Sequence, residues 1–277
     1  MSRSSRHHAR EAVTGSVMRV SKLLRGARIA LSPKSAVLSS LTPNGATLLG
    51  LNRPGYGGRG LYLEGDDLEP EVSLLPRLLS PDAVLIDVGA NTGLYTLTAA
   101  QHFRSGSGTV VALEPNIEIL AMLSRSVARN GFESVRLRAL CASDTSGEVA
   151  FYRNFGRPNQ FSMETLDAAA SQYSALAVTL DELVGWERLE RLDYVKIDAE
   201  GSEDRILRGA EVSIARFRPI IQVEDSVRPV SWLPDSYVPV RMGRSQNRLL
   251  IPEEHPKRQL LGSLGARLSH GEAAGQP

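Results

Sequence analysis

The sequence predicts an α/β chain built on a doubly wound, mostly parallel sheet that an antiparallel hairpin closes near its C-terminal end. Three observations carry this. Apolar runs at Ala83–Val88, Thr109–Leu113, Val135–Leu140, Leu192–Ile197 and Pro219–Val223 lack polar alternation, as strands covered on both faces do. Helical stretches at Leu94–Phe103, Ile117–Arg129 and Ser202–Ala210 separate several of them. Tyr237–Met242 and Asn247–Ile251, joined by Gly243-Arg244-Ser245-Gln246, read as a closing hairpin. With right-handed crossovers this succession makes a Rossmann-like sheet.

Size and composition agree. A chain of 277 residues accommodates one large α/β domain or two small ones, and 42% apolar residues fill such a core. A disordered chain would carry fewer apolar residues and a larger net charge. With 32 basic against 31 acidic residues, overall charge gives no reason to expect nucleic acid as a partner. The single cysteine, Cys141, excludes an intrachain disulfide and a Cys-rich zinc site, so a reducing, cytoplasmic setting is the simplest expectation. The longest uncharged stretch, Ser35–Asn52, holds Pro43, Asn44, Gly45 and Gly50 and reads as strand and turn, not as a membrane span.

In chain order, residues 1–60 make a basic leader and preamble, 61–252 the main domain, and 253–277 a polar, mobile tail. The first 34 residues carry eight basic side chains and one acid, Glu11. Within them Val17, Val20, Leu24, Ala27 and Leu31 recur at helical spacing. Such a basic amphipathic helix suits peripheral contact with an anionic membrane surface, or docking on its own domain. Glu69–Leu79 reads as a helix ended by Ser80-Pro81. Glu148–Arg153 suits an added strand, and Asn154–Tyr173, long and without a period, reads as a functional loop.

In an open α/β sheet, ligands bind at the carboxyl ends of the strands. The first strand ends in Asp87-Val88-Gly89-Ala90-Asn91-Thr92-Gly93. A dinucleotide site carries Gly-x-Gly-x-x-Gly, because a pyrophosphate must reach the helix N-terminus. Here the glycines stand four apart behind a carboxylate, which repels phosphate and attracts an ammonium group. The second strand ends in Glu114-Pro115-Asn116; an acid there accepts hydrogen bonds from two ribose hydroxyls, while Pro115 and Asn116 start the next helix. Ammonium at Asp87 and ribose at Glu114 together describe S-adenosylmethionine. The fourth strand ends in Lys196-Ile197-Asp198-Ala199-Glu200-Gly201-Ser202-Glu203. Asp198 and Glu200 are the candidate catalytic carboxylates, taking a hydroxyl proton as the oxygen attacks in line; the competing role for these acids is to pair with Lys196 and cap the following helix. The two acids also leave room for an oxygen-bound Mg²⁺, but no residue set commits the chain to a metal.

The pieces Ile86-Asp87-Val88-Gly89-Ala90-Asn91-Thr92-Gly93-Leu94-Tyr95, Glu114-Pro115-Asn116, Ala142-Ser143-Asp144 and Gly147-Glu148-Val149 stand in order with Val178-Thr179-Leu180-Asp181-Glu182-Leu183, Val195-Lys196-Ile197-Asp198-Ala199-Glu200-Gly201, Leu207-Arg208-Gly209-Ala210 and Val223-Glu224. From Leu61 to Glu224 the chain thereby resembles the FkbM-type S-adenosylmethionine-dependent methyltransferases. It departs from the usual pattern only at Ala199, where valine is usual, and Ser202, where alanine is common. The resemblance implies a Rossmann-like class I methyltransferase fold and methyl transfer to a hydroxyl of a small-molecule acceptor, a sugar, glycolipid or secondary metabolite. It also implies that Gly89, Asn91 and Gly93 contact the methionine end of the cofactor, Glu114 the ribose, and Ala142, Ser143 and Asp144 the adenine region; Ala90 and Asn116 stand beside these as cofactor-binding candidates. Acceptor contacts are sought in the irregular stretch, at Phe155, Asn159, Gln160, Phe161 and Ser162.

Two other readings compete, a nicotinamide-dependent oxidoreductase on a similar sheet and a non-catalytic binding protein that keeps the fold. The missing pyrophosphate loop weighs against the first. His102 reads as a helix-end residue, Cys141 as a buried thiol, and Trp186 and Trp232 as packing residues.

Overall fold

A computed structural model of the chain describes residues 22–53, 57–65, 69–153, 161–162, 171–199, 201–224, 236–241, 245–263 and 267–268. Helix α1 (residues 22–31) leads into the antiparallel hairpin β1 (Val37–Leu41) and β2 (Thr47–Leu51), then α2 (Gly57–Glu64). A 3₁₀ turn (Pro70–Leu74) runs into the single turn of α3 (Leu75–Leu78). The main sheet begins with β3 (Val84–Val88), α4 (Leu94–His102), β4 (Thr109–Leu113), α5 (Ile117–Asn130) and β5 (Val135–Arg138). A second sheet follows, of β6 (Cys141–Ala142), β7 (Gly147–Arg153), β8 (Phe161–Ser162) and β9 (Ser171–Val178). The chain returns through α6 (Leu180–Trp186), β10 (Tyr194–Ile197), α7 (Glu203–Arg208), α8 (Glu211–Phe217) and β11 (Ile220–Glu224). It closes with β12 (Tyr237–Arg241), β13 (Asn247–Pro252), α9 (Arg258–Ser263) and β14 (Arg267–Leu268).

The main sheet has the order β14-β12-β13-β11-β10-β3-β4-β5. Its five strands from β11 to β5 run parallel, and β12, β13 and β14 are joined antiparallel beyond β11. This is the Rossmann-like, mostly parallel sheet with a closing hairpin that the apolar runs predict. The alternation of side chains along each strand divides the core. Leu85, Tyr194 and Ile220 face one layer with Tyr95, Leu97 and Phe103, while Val84, Ile86, Val88, Val195 and Ile221 face the other with Leu183 and Ile206. Beta-branched residues buried on both faces explain why these strands show no polar alternation.

Several expectations need correction. Glu69–Leu79 is not one helix: Pro76 lacks the N–H that an unbroken helix requires there, so a 3₁₀ turn hands over to a single α-turn. The sequence pattern predicts neither α6 nor α8, and β9 begins at Ser171, inside the stretch expected to be a loop; the two helices bury only Leu180, Leu183 and Val184, and Ser213 and Ile214, respectively. The described residues after 252 are not a bare tail, since they hold α9 and the strand β14, which pairs with β12. A division at 61 also separates residues that pack together, because Ala46, Leu48 and Leu61 share a core with Leu85 and Leu97. Trp186 is no packing residue; it is exposed at the end of α6.

On α1 the expected apolar face points outward: Leu24, Ala27 and Leu31 are exposed, whereas Ile29 on the opposite side is buried. That side is fixed because Lys22 pairs with Glu64, Arg25 bonds the Tyr62 carbonyl, and the Asn52 amide donates to the carbonyls of Ile29 and Ser32. Val17 and Val20 lie outside the described residues. Among the described residues no helix is long and apolar enough to cross a membrane.

Helix α5 starts as its sequence requires. The Asn116 side-chain oxygen accepts from the N–H groups of Glu118 and Ile119 at 3.0 and 3.3 Å. Asn116→Ala should cost about 1 kcal/mol of unfolding free energy, read from urea denaturation.

Candidate active site

Between β3 and β10 the connectivity reverses: from β3 the chain proceeds outward to β4 and β5, then returns to β10 on the other side. A crevice opens at such a switch point. Here it is shaped by Gly89, which adopts φ +68°; a Cβ on it would lie 2.0 Å from the Asp198 carbonyl oxygen. Only glycine allows β3 and β10 to close this tightly. The loop is tied to β4 as well, since Ala90 N–H donates to the Leu113 carbonyl and Asn91 N–H to Glu114 Oε2, both at 2.9 Å.

Parallel register sets Lys196 beside Asp87 on one side and beside Gln222 on the other, so all three side chains share a face. The Lys196 ammonium donates to the Gly89 carbonyl at 3.0 Å and lies 3.5 Å from Asp87 Oδ1 and 3.3 Å from Asp198 Oδ2. Burial works against its charge, but Asp198, Asp87 and Glu69 together raise its pKa above the ordinary lysine value. Asp87 is completely buried, and its other oxygen accepts from Thr96 N–H at 3.1 Å and from the Thr96 hydroxyl at 2.6 Å. This departs from the expectation that Asp87 meets a ligand ammonium. The carboxylate serves the chain's own lysine and the first turn of α4.

A cavity of about 60 Å³ opens above this pair, lined by Glu69, Ala90, Asn91, Tyr95, Lys196 and Asp198, with Leu61, Thr92 and Leu94 completing it. Glu69, just ahead of the 3₁₀ turn, and Tyr95, in the first turn of α4, were not anticipated. Burial, with Asp198 and Asp87 nearby, raises the Glu69 pKa; Lys196 and a hydrogen bond from Tyr95 oppose the rise. Burial also holds the Tyr95 phenol well above its usual range. Behind them Tyr194 Oη donates to Gln222 Oε1 at 2.6 Å, and Gln222 Nε2 donates to Tyr95 Oη. The one sequence signal for this cluster was Lys196 itself. A lysine in an otherwise apolar buried strand implies a paired partner.

Glu114 closes the crevice at the end of β4, accepting from Asn91 and Asn116 N–H groups, one on each oxygen and each at 2.9 Å. Burial pushes its pKa up to about 7 against those bonds. Asn116 spends its side chain on the helix cap. Ala142 is buried beneath the sheet ends with Val88, Leu113 and Ile197, and Ser143 is fully buried with its N–H on the Val178 carbonyl. Asp144 accepts from Arg205 at 2.9 Å, which holds its carboxyl below the usual range. Cys141 is buried, its thiol pushed up to about 11.

Of the acids after β10, Asp198 lines the cavity, while Glu203 turns back, its Oε1 accepting from Ala199 and Gly201 N–H at 3.1 and 3.2 Å. Glu200, Phe155, Asn159 and Gln160 lie outside the described residues. Phe161 and Ser162 form β8, opposite Arg153 and Tyr152 at an edge of the second sheet. Among the described residues, no group of three or more His, Cys, Asp and Glu side chains is placed to hold a metal.

Fold and crevice define a Rossmann-like chain with an acidic site at its switch point. The family model of the methyltransferase FkbM domain matches residues 87–241, more than half of the sequence, and the chain belongs to that family. It is 26% identical over 181 residues to the AMB antimetabolite synthetase AmbE of Pseudomonas aeruginosa, covering 52% of this chain and 8% of that protein. It is 26% identical over 199 residues to the 31-O-demethyl-FK506 methyltransferase FkbM of Streptomyces tacrolimicus, covering 61% and 74% respectively. To the hexuronic acid methyltransferase AglP of Haloferax volcanii it is 27% identical over 169 residues, covering 59% and 66%.

Proposed function

We propose that the chain is an S-adenosylmethionine-dependent O-methyltransferase of a small-molecule acceptor, a hydroxyl on a sugar, glycolipid or secondary metabolite, working in a cytoplasmic setting. The observation that carries the reading is the acidic cavity at the switch point. Its lining sets Glu69 and Asp198 against one cation, Lys196, among the described residues. Such a donor set suits a ligand with net positive charge and repels a diphosphate. Family membership supports methyl transfer, and two of the relatives bear names of methyltransferases, one of them for hexuronic acid.

In this reading the Gly89–Gly93 loop cradles the amino-acid end of the cofactor and Glu114 receives the ribose hydroxyls. Ala142, Ser143 and Asp144 border the base. The cofactor, when bound, supplies an electrophilic methyl group on a sulfonium centre. The chain's own task is to align the acceptor oxygen and exclude water. Asp198, with Glu200, takes the hydroxyl proton. Lys196, 3.3 Å from Asp198 Oδ2, orients that carboxylate. Acceptor contacts are assigned to the stretch that contains Phe155, Asn159, Gln160, Phe161 and Ser162, and an Mg²⁺ at the acids after β10 is not part of the proposal.

Thermal unfolding with added ligand tests the reading. S-adenosylmethionine or S-adenosylhomocysteine at ~100 times its dissociation constant should stabilise the protein by ~2.7 kcal/mol. Stabilisation by NADH and by neither of these would overturn it, as would failure of every hydroxylated acceptor in a sugar and metabolite panel to gain a methyl group by mass spectrometry.

A further inference from the structure

We infer that Glu69, not Asp87, is the carboxylate that binds the α-ammonium group of S-adenosylmethionine; this rests on the function just proposed. Position is the first argument. Asp87 has no exposed surface and is engaged by Thr96 and Lys196, whereas Glu69 lines the same cavity as Ala90, Asn91 and Asp198. A ligand amine held over the glycine loop therefore meets Glu69 before any path to Asp87 exists.

Orientation is the second. Tyr95 Oη accepts from Gln222 Nε2, and Gln222 Oε1 is occupied by the Tyr194 hydroxyl. The Tyr95 proton is thus left for Glu69, with which it forms a side-chain hydrogen bond. Burial raises the Glu69 pKa; the hydroxyl donor aimed at the carboxylate opposes that rise and fixes its direction, and a ligand ammonium would oppose it further. This suits a binding anion better than a base that must take up a proton.

Charge balance is the third. The ammonium of Lys196 is already shared between Asp87 and Asp198, so of the two carboxylates that line the cavity Glu69 is the one with no ion pair among the described residues. In a partly buried cavity an uncompensated anion is costly, and a ligand ammonium removes that cost.

The test compares S-adenosylhomocysteine with 5′-methylthioadenosine, which keeps the adenosine and thioether but has no amino-acid group, by calorimetric titration of wild type and Glu69→Gln. The variant should bind S-adenosylhomocysteine about 10- to 100-fold more weakly, with 5′-methylthioadenosine changed less than about twofold. Tyr95→Phe, which removes the orienting donor but retains the ring, should weaken only S-adenosylhomocysteine, by a smaller factor. Equal losses for both ligands, or an unchanged affinity for S-adenosylhomocysteine, would overturn the assignment of Glu69. Wild-type protein that binds neither ligand would overturn the proposed function itself, and the two failures are therefore distinct.

Discussion

Lys196→Met should lower the unfolding free energy by about 3–5 kcal/mol, the usual consequence of removing one partner from a buried ion pair. Volume is nearly conserved by the substitution, so the loss is electrostatic. Asp87 sits directly across the β3–β10 register, wholly buried, and without the ammonium its Oδ1 faces the core uncompensated. The Gly89 carbonyl loses its donor in the same step. Asp87→Asn added to Lys196→Met should restore a large part of the loss, because a neutral amide costs far less to bury than a carboxylate. Urea denaturation of the two single variants and the double variant measures this. Losses that simply add would show that Lys196 and Asp87 do not act as a pair. In that event the loss would come from the other partners of Lys196, the Gly89 carbonyl and Asp198, whose side chain is 42% exposed and easily hydrated.

The elements that sequence reasoning found and those it missed differ in where their information lies. Strands β3, β4, β10 and β11 announce themselves because each is an apolar run buried on both faces, a local property. Asn116 caps α5 by a bond to the next two or three residues, again local. Their order in the chain is enough to locate the switch point, and so the crevice. By contrast, the polar contents of the crevice depend on register. Nothing near Asp87 in sequence shows that Lys196 will lie beside it, so its charge was assigned to a ligand when a residue of the chain already met it. Glu69 carries even less signal, because it precedes a 3₁₀ turn and reaches the cavity only through packing against α4. Helices α6 and α8 escape the pattern because seven residues burying two or three side chains give too short a period to recognise. The exposed face of α1 is the opposite failure. Its spacing was clear, but which side of a helix is buried depends on what anchors it, and here Ile29 and the Asn52 amide do so.

Glu114 should make the protein less stable as pH rises from about 5 to 8. Its pKa stands near 7 in the folded chain against an ordinary 4.5, with burial as the main cause and the Asn116 and Asn91 amides and Lys196 opposing. The folded state therefore holds the proton to higher pH than the unfolded state. The stabilisation linked to that proton is complete below about 4.5 and disappears as pH passes 7; over this window it amounts to about 3 kcal/mol. The raised pKa values of Glu69, Glu71 and Glu224 act in the same direction. His255, whose pKa is lowered by burial, acts the other way below its ordinary value. Subtracting Glu114→Gln isolates the one group, since glutamine keeps an acceptor for one of the two amides and does not titrate. Denaturation at pH 5 and pH 8 should show wild type losing about 3 kcal/mol relative to the variant; a difference independent of pH would remove Glu114 from the account. Under the proposed function the same ionisation is useful. The anion that destabilises the free protein at pH 8 is the form able to accept from two ribose hydroxyls, so affinity for S-adenosylhomocysteine should increase from pH 6 to pH 8 in wild type and stay flat in Glu114→Gln. Stability and affinity would then respond to one proton with opposite signs, which a merely structural carboxylate would not produce.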